Sequence, residues 1–93
     1  MRARALVSFP GGYGTMDELF ETLTLIQTKK IKPLPVILFG KEFWAEAINF
    51  DFLVTEGVIA PDDVTLFQFV EKASEAWAII RKFYYETKLN GEF

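Results

Sequence analysis

The residues of this chain best suited to chemistry lie together between Pro10 and Glu18, in the order Pro-Gly-Gly-Tyr-Gly-Thr-Met-Asp-Glu. The glycines of this segment allow the backbone to approach a ligand closely, because no Cβ stands in the way. A helix that begins at Thr15 would expose its first backbone N–H groups. Together with the positive end of the helix dipole, these groups form an anion site that most often binds phosphate. The segment therefore predicts a phosphate site built from Gly11, Gly12, Gly14 and Thr15.

Glu18 and Tyr13 each allow two interpretations. The spacing from Thr15 to Glu18 matches a capping box, in which Glu18 would accept a hydrogen bond from the Thr15 amide and only stabilise the helix. Alternatively Glu18 is catalytic, because a carboxylate beside a sugar phosphate can bond ribose hydroxyls and stabilise oxocarbenium-like charge as a base departs. A capping box needs no glycine cluster, so the preceding residues favour the catalytic role. Tyr13 would either stack on the base of a ligand or cover the loop.

The composition excludes several kinds of chemistry. The 93 residues include neither His nor Cys, so this sequence has no imidazole base, no thiolate and no disulfide. Catalysis must then use carboxylates, Arg or Lys, hydroxyls or backbone dipoles, and we expect no metal ion and no cofactor. A formal net charge of −3 argues against a nucleic-acid surface. No apolar run approaches the ~20 residues of a membrane span, and the lack of Cys suits a cytoplasmic location.

Strand and helix patterns alternate along the chain. Short apolar runs predict buried strands near residues 4–9, 35–39 and 65–70. Apolar residues spaced three or four positions apart predict helices near residues 15–29, 42–55 and 73–87. In the last helix this spacing assigns to one apolar face the residues Trp77, Ile80, Phe83 and Tyr84. We expect the tryptophans, Trp44 and Trp77, in the core or in an interface, and Asp62 and Asp63 in a turn.

The order βαβαβα predicts one α/β domain over residues 1–93, with a parallel sheet and right-handed crossovers. If the strands lie side by side in sequence order, the first two helices cover the same face, and the third helix at most covers the other. Such a sheet is half of a doubly wound domain, in which helices cover both faces. The apolar segment 5–9 would be an edge strand, which can pair with another chain. We therefore expect a homo-oligomer, or association with a complementary N-terminal half, through this strand or the uncovered face.

The segment from Pro10 to Glu18 also resembles the signature of the lonely-guy (LOG) family, Pro-Gly-Gly-x-Gly-Thr-x-x-Glu, at every fixed position. The similarity continues through residues 19–21, 33–36 and 56–59 and through the helix that contains Trp77. Members of this family, labelled "possible lysine decarboxylase" in older descriptions, have a Rossmann-like fold and form dimers or larger assemblies. Many are phosphoribohydrolases, which split nucleoside 5′-monophosphates, including cytokinin ribotides, into a free base and ribose 5-phosphate.

The resemblance implies a role for each residue that matches the signature. Glu18 would be the catalytic carboxylate, and the 5′-phosphate would be held by Gly11, Gly12, Gly14 and Thr15. Family members also carry an Arg-Lys pair upstream of the first strand, which contributes a catalytic Arg. This chain resembles the C-terminal half and contains no such segment. By itself it is therefore expected to cleave nucleoside monophosphates poorly or not at all.

Two other functions stay open beside the phosphoribohydrolase. The chain could be a non-catalytic remnant that keeps the phosphate site, or a regulatory module that holds a nucleotide without cleaving it. Amino-acid decarboxylation, by contrast, normally needs pyridoxal phosphate held by a Lys. No Lys of this sequence has the Gly-rich or Ser/His surroundings typical of that attachment.

Overall fold

The fold alternates strands and helices, as the sequence predicts, in a computed structural model that describes residues 5–89. The elements, in chain order, are β1 (Leu6–Ser8), α1 (Tyr13–Gln27), β2 (Val36–Phe39), α2 (Lys41–Ala47), α3 (Phe50–Thr55), a 3-10 helix (Pro61–Thr65), β3 (Gln68–Val70) and α4 (Ala73–Leu89). No helix within residues 5–89 combines the length and the apolar character that crossing a membrane would require.

The strands of the described region form a parallel sheet in the order β1-β2-β3. Leu6 lies opposite Val36, and Phe39 lies opposite Val70. The Leu6 amide also donates to the Pro35 carbonyl at 2.9 Å. All three strands therefore end at the same edge of the sheet, where the next helix begins after each of them. This arrangement confirms the predicted α/β class with a parallel sheet.

Each face of the sheet has its own hydrophobic cluster. The larger cluster joins the sheet to α1, α2 and the chain before β3, and its buried members are Leu6, Leu19, Ile26, Val36, Leu38, Trp44 and Phe67. The smaller cluster joins the sheet to α4, and its buried members are Ile37, Val70 and Ala76. Because alternate strand residues point to opposite faces, α1 and α2 share one face and α4 covers the other. The predicted division of the helices between the two faces is confirmed.

The predicted helix over residues 42–55 is wrong in one respect, because the chain breaks it into α2 and α3. Ile48 has extended backbone angles, with φ −139° and ψ 120°. The Asn49 side chain then accepts a hydrogen bond from the Phe52 amide at 2.9 Å and begins a new helix. The third strand also starts later than predicted, since the segment Pro61–Thr65 forms the 3-10 helix.

The two tryptophans have different environments. Trp44 is fully buried, and its indole Nε1 donates to the Phe39 carbonyl at 3.0 Å. Trp77 is 59% exposed, whereas its neighbour Ala76 is buried against the sheet. Trp77 is therefore not part of the core of this chain, and its expected place in an interface stays a prediction. The smaller Ala76 occupies the position nearest the sheet, and Ile80 packs beside it.

Candidate active site

The glycine-rich segment connects the end of β1 to the start of α1. Gly12 is the N-cap, and its carbonyl accepts the first helical hydrogen bond from the Met16 amide at 3.0 Å. The helix thus begins two residues earlier than predicted, and Thr15 is its third residue. Thr15 cannot be the N-cap, because its own backbone already has a helical conformation.

The first backbone amides of α1 have no acceptor within the protein. No amide from Gly12 to Thr15 donates a hydrogen bond to another residue of the described range 5–89. These N–H groups point out of the helix start toward the carboxyl edge of the sheet, and they carry the positive end of the helix dipole. The start of α1 therefore offers a set of unused donors that an anion can accept from.

The other helices of the described region begin differently, because a side-chain oxygen accepts from an amide at each start. These bonds are Lys41 N to Glu71 Oε2 at 2.9 Å for α2, Phe52 N to Asn49 Oδ1 at 2.9 Å for α3, Ala60 N to Asp63 Oδ2 at 2.8 Å for the 3-10 helix, and Lys72 N to Glu75 Oε1 at 2.9 Å for α4. Within residues 5–89, only the start of α1 has no such acceptor.

The glycines of the motif matter because they have no side chain, and not because they adopt a backbone conformation that other residues avoid. In the described region only Gly40 and Gly57 have positive φ among the glycines, so Gly11, Gly12 and Gly14 do not need the left-handed region. A Cβ at Gly11 would collide with the Thr15 side chain, whose Cβ would lie at 2.9 Å. A Cβ at Gly12 or Gly14 would meet nothing within 4 Å. Gly11 therefore makes room for Thr15, whereas the other two leave the space above the amides open.

Glu18 lies one turn after Gly14, on the same side of α1. Its side chain is exposed, and it makes no hydrogen bond or ion pair with another described residue. The capping-box interpretation is therefore wrong, since Gly12 is the N-cap and no side chain caps α1. Side chains on a helix lean toward its N-terminus, and Gly14 has no side chain in between. The carboxylate can consequently reach the space in front of the open amides.

Tyr13 is the first residue of α1, and its side chain is 97% exposed. It does not cover the loop, so that interpretation is wrong. The ring stands in solvent beside the open amides of the helix start, where a planar group could stack on it.

Ser8 is a residue at this edge that the sequence patterns did not single out. It ends β1, it is only 3% exposed, and its hydroxyl has no hydrogen-bond partner among the described residues. The sequence signal is a small polar side chain within the apolar run of residues 5–9. The hydroxyl is also closed off from solvent.

Residues 5–89 contain no cluster of side chains that could hold a metal ion. Nowhere in this range do three or more His, Cys, Asp or Glu side chains come close enough to hold a metal ion. Asp63, one of the two predicted turn aspartates, instead accepts a hydrogen bond from Gln27 Nε2 at 2.7 Å in addition to the one from the Ala60 amide. It therefore joins the 3-10 helix to the end of α1.

Comparison with known proteins supports the family suggested by the motif. A family model described as "Possible lysine decarboxylase" matches residues 1–80, which include β1, the glycine-rich segment and α1. The chain belongs to this family, the LOG family. A rice protein (Oryza sativa subsp. japonica) named cytokinin riboside 5′-monophosphate phosphoribohydrolase LOG is 42% identical over 62 residues. That match covers 64% of this chain and 25% of the rice protein. The match to this LOG relative thus spans about a quarter of the relative's length.

Proposed function

We propose that this LOG-family chain takes part in hydrolysis of the N-glycosidic bond of a nucleoside 5′-monophosphate, which gives a free base and ribose 5-phosphate. The observation that carries the proposal is the start of α1, where the amides from Gly12 to Thr15 are unused and an unpaired Glu18 lies one turn further on. The open amides suit a phosphate. Glu18 places a carboxylate within reach of the sugar that is attached to this phosphate.

The phosphate would accept hydrogen bonds from the open amides, with the Thr15 hydroxyl beside Gly11 as a further donor. No protein group has to give up a hydrogen bond when the anion arrives, so the donors are organised in advance. The open space at Gly12 and Gly14 lets the anion approach the backbone without meeting a Cβ. Tyr13 would stack on the base or on the sugar edge.

Glu18 would then act on the ribose. One helical turn is about 5.4 Å long, which is comparable to the span of a ribose ring between its 5′-phosphate and C1′. As the bond from C1′ to the base nitrogen breaks, its electron pair leaves with the base, and positive charge develops on the sugar. The Glu18 carboxylate stabilises that charge and accepts hydrogen bonds from ribose hydroxyls. Water supplies the oxygen that forms the new bond at C1′, and the base takes up a proton.

The name of the rice relative supports a nucleoside 5′-monophosphate as the substrate. The shortness of the shared segment supports a second candidate function. The match covers only a quarter of that relative, and the described residues offer open amides for a phosphate and one carboxylate. The second candidate is a module that binds a nucleotide through the α1 amides and does not cleave it. The two candidates share the binding step, and only the first requires Glu18 to act in cleavage.

Decarboxylation, which the family description names, does not suit the described residues. That chemistry normally requires pyridoxal phosphate as a Schiff base with a Lys. The lysines whose side chains the structure describes are all exposed, at positions 29, 30, 32, 41, 72 and 82. None of these positions falls in the glycine-rich segment or the first turn of α1. We therefore propose no decarboxylase step.

The test compares Glu18→Gln with Glu21→Gln, a matched change at another exposed carboxylate of α1. Ribose 5-phosphate released from AMP is measured for the chain alone and together with a complementary N-terminal half that carries the Arg-Lys pair, and AMP binding is measured by calorimetry. We expect Glu18→Gln to bind AMP nearly as well as the wild type and to lose on the order of 10²-fold in turnover. Glu21→Gln should change neither quantity.

Equal turnover in Glu18→Gln and Glu21→Gln would show that Glu18 takes no part in the reaction. If the wild-type chain binds AMP and releases no ribose 5-phosphate even together with a complementary N-terminal half, the binding module is the correct function. If AMP does not bind at all, the phosphate site itself is refuted. The cytoplasmic location and pairing of the β1 edge with a complementary segment stay predictions.

A further inference from the structure

The outer side of β3 carries backbone groups that no described residue uses. β3 lies at one end of the strand order β1-β2-β3, so only one of its sides is paired. On that side the Gly40 amide donates to the Val70 carbonyl at 2.9 Å. Because successive residues of a strand direct their backbone groups to opposite sides, Gln68 and Val70 bond to β2. Phe69 directs its N–H and C=O groups away from the sheet, and so does Phe67.

The segment 67–69 is called the β3 edge below. The backbone N–H and C=O groups of Phe67 and Phe69 make no hydrogen bond to any residue of the range 5–89. Gln68 between them is exposed and uncharged. Proteins commonly protect an edge strand from pairing with a Lys, a Pro or an inward-pointing charge. The β3 edge contains none of these, so it is able to pair with another strand.

An aromatic cluster adjoins the β3 edge on the face of the sheet that carries α1 and α2. The ring centroid of Phe67 lies 4.5 Å from that of Phe50 and 5.5 Å from that of Phe69. The three rings border a depression of about 230 Å³. Phe69 is only half-buried, so the cluster continues to the limit of the sheet. A strand that pairs with the β3 edge therefore covers apolar surface and also satisfies backbone groups.

The β3 edge is complementary to itself about Gln68. In an antiparallel pair, residues that lie opposite each other alternate between pairs that exchange two hydrogen bonds and pairs that exchange none. If Gln68 lies opposite Gln68 of the partner subunit, Phe67 lies opposite the partner's Phe69, and both direct their backbone groups toward each other. A register centred on Phe69 is poorer, because it needs the Glu71 amide, which already donates to Glu75 Oε1 at 2.8 Å.

The charges on either side of the β3 edge favour the same occupant. Asp62 precedes the edge in the 3-10 helix, Lys72 follows it, and both side chains are exposed. Antiparallel pairing places the end of each strand beside the start of the other. It therefore brings the basic residue of one copy toward the acidic residue of the second copy.

We propose that two copies of this chain join through the β3 edge, so that their sheets become one continuous sheet across a two-fold axis at Gln68. Phe67 exchanges backbone hydrogen bonds with the partner subunit's Phe69, and their rings form a cross-strand aromatic pair. The Gln68 side chains lie on the opposite face, where the two amides hydrogen-bond each other. The axis repeats each contact, and a contact of this kind closes on itself and stops at the dimer.

This interface is at the other end of the sheet from β1, so β1 stays free to pair elsewhere. The strands of the two copies run in opposite directions. The carboxyl edges of the two sheets, and with them the two open starts of α1, therefore face opposite ways. The inference concerns association only, and it does not depend on whether the chain binds or cleaves a nucleotide.

The first test uses the lack of Cys in this sequence. Gln68→Cys introduces one thiol per chain, directly at the proposed axis. Opposite residues of a pair without hydrogen bonds have Cα atoms about 4.5 Å apart, which is within the range of a disulfide. Mild oxidation of Gln68→Cys at micromolar concentration should give a covalent dimer on a non-reducing gel. Ala78→Cys, at an exposed position of α4, is the matched control and should stay monomeric on the same gel.

The second test changes the charge at the axis and measures association by sedimentation velocity. Gln68→Lys and Gln68→Glu each place two like charges opposite each other and should raise the dimer Kd by about 10-fold or more. An equimolar mixture of Gln68→Lys and Gln68→Glu places opposite charges there and should regain the dimer. Ala78→Lys and Ala78→Glu should leave the Kd unchanged, alone or mixed.

Gln68 and Ala78 are both exposed, and the helical circular dichroism of each variant verifies that it folds. A wild-type chain that stays monomeric at micromolar concentrations would overturn the proposal, and so would a Gln68→Cys variant that cross-links no faster than Ala78→Cys. Association that is unchanged in Gln68→Lys would also overturn it, because the contact would then use another surface such as β1. A mixture of Gln68→Lys and Gln68→Glu that associates no better than either variant alone would refute the register centred on Gln68.

Discussion

Replacement of Gly14 by Ala separates the stability of α1 from its proposed binding role. Gly14 is the second residue of the helix, its φ is not positive, and a Cβ there would meet nothing within 4 Å. Ala in a helix is more stable than Gly by roughly 0.5–1 kcal/mol. For a domain of this size 1 kcal/mol corresponds to a change of about 4–8 °C in Tm. Gly14→Ala should therefore raise Tm by about 2–8 °C.

The same methyl group should weaken binding, because it stands between the open amides and Glu18, where the phosphate and ribose are proposed to lie. We expect AMP to bind Gly14→Ala at least 10-fold more weakly, about 1.4 kcal/mol, although the protein itself melts at a higher temperature. Calorimetric titration with AMP and a thermal melt without ligand measure the two effects on the same sample.

Gly11→Ala is the comparison, since its Cβ would collide with the Thr15 side chain. Overpacking of this kind costs typically 1–3 kcal/mol, so Gly11→Ala should lower Tm. Unchanged AMP affinity in Gly14→Ala would refute a phosphate above this helix start. A lower Tm in Gly14→Ala would refute the conclusion that the space beside Gly14 is open.

Three further substitutions test local features of the fold and the site. Asn49→Ala should lower the free energy of unfolding by about 1 kcal/mol, because α3 loses the acceptor for the Phe52 amide; chemical denaturation measures the change. Trp44→Phe should cost about 1–3 kcal/mol in the same assay, since the Phe39 carbonyl loses its indole donor inside the core. Glu18→Ala should leave Tm within about 1 °C of the wild type because its carboxylate does not cap α1, whereas a decrease typical of a lost cap would restore the capping interpretation.

Apolar periodicity was sufficient to predict the sheet and the sides on which its helices lie. The run that became β2 contains buried residues on both faces, such as Val36 and Ile37, which is typical of a parallel strand between two layers. Periodicity was insufficient where a polar residue interrupts an apolar pattern. The spacing of apolar residues continues from Trp44 to Leu53, so only the hydrogen-bonding ability of Asn49 signals that the helix starts again there.

The start of α1 illustrates a different limit of sequence patterns. Thr15 and Glu18 have the spacing of a capping box, but the backbone conformation decides which residue is the N-cap. Gly12 accepts the first helical bond, and Thr15 then packs against Gly11 inside the first turn. The spacing places Trp77 on the apolar face of α4, whereas the smaller Ala76 lies against the sheet and Trp77 is exposed. Backbone conformation decided the first outcome and packing against the sheet decided the second, and residue type alone predicted neither.

Because the start of α1 has no cap of its own, we expect the stability of the protein to depend on the anions in solution. Glu71 and Glu75 give α2 and α4 an oxygen acceptor that belongs to the chain itself, whereas the first turn of α1 depends on an acceptor from outside. An anion that binds only the folded chain raises the free energy of unfolding by about 2.7 kcal/mol at a concentration 100 times its Kd. Amide hydrogen exchange in the first turn of α1 should slow along with that rise. We therefore expect the melting temperature to keep rising with the concentration of such an anion, even after the site is filled.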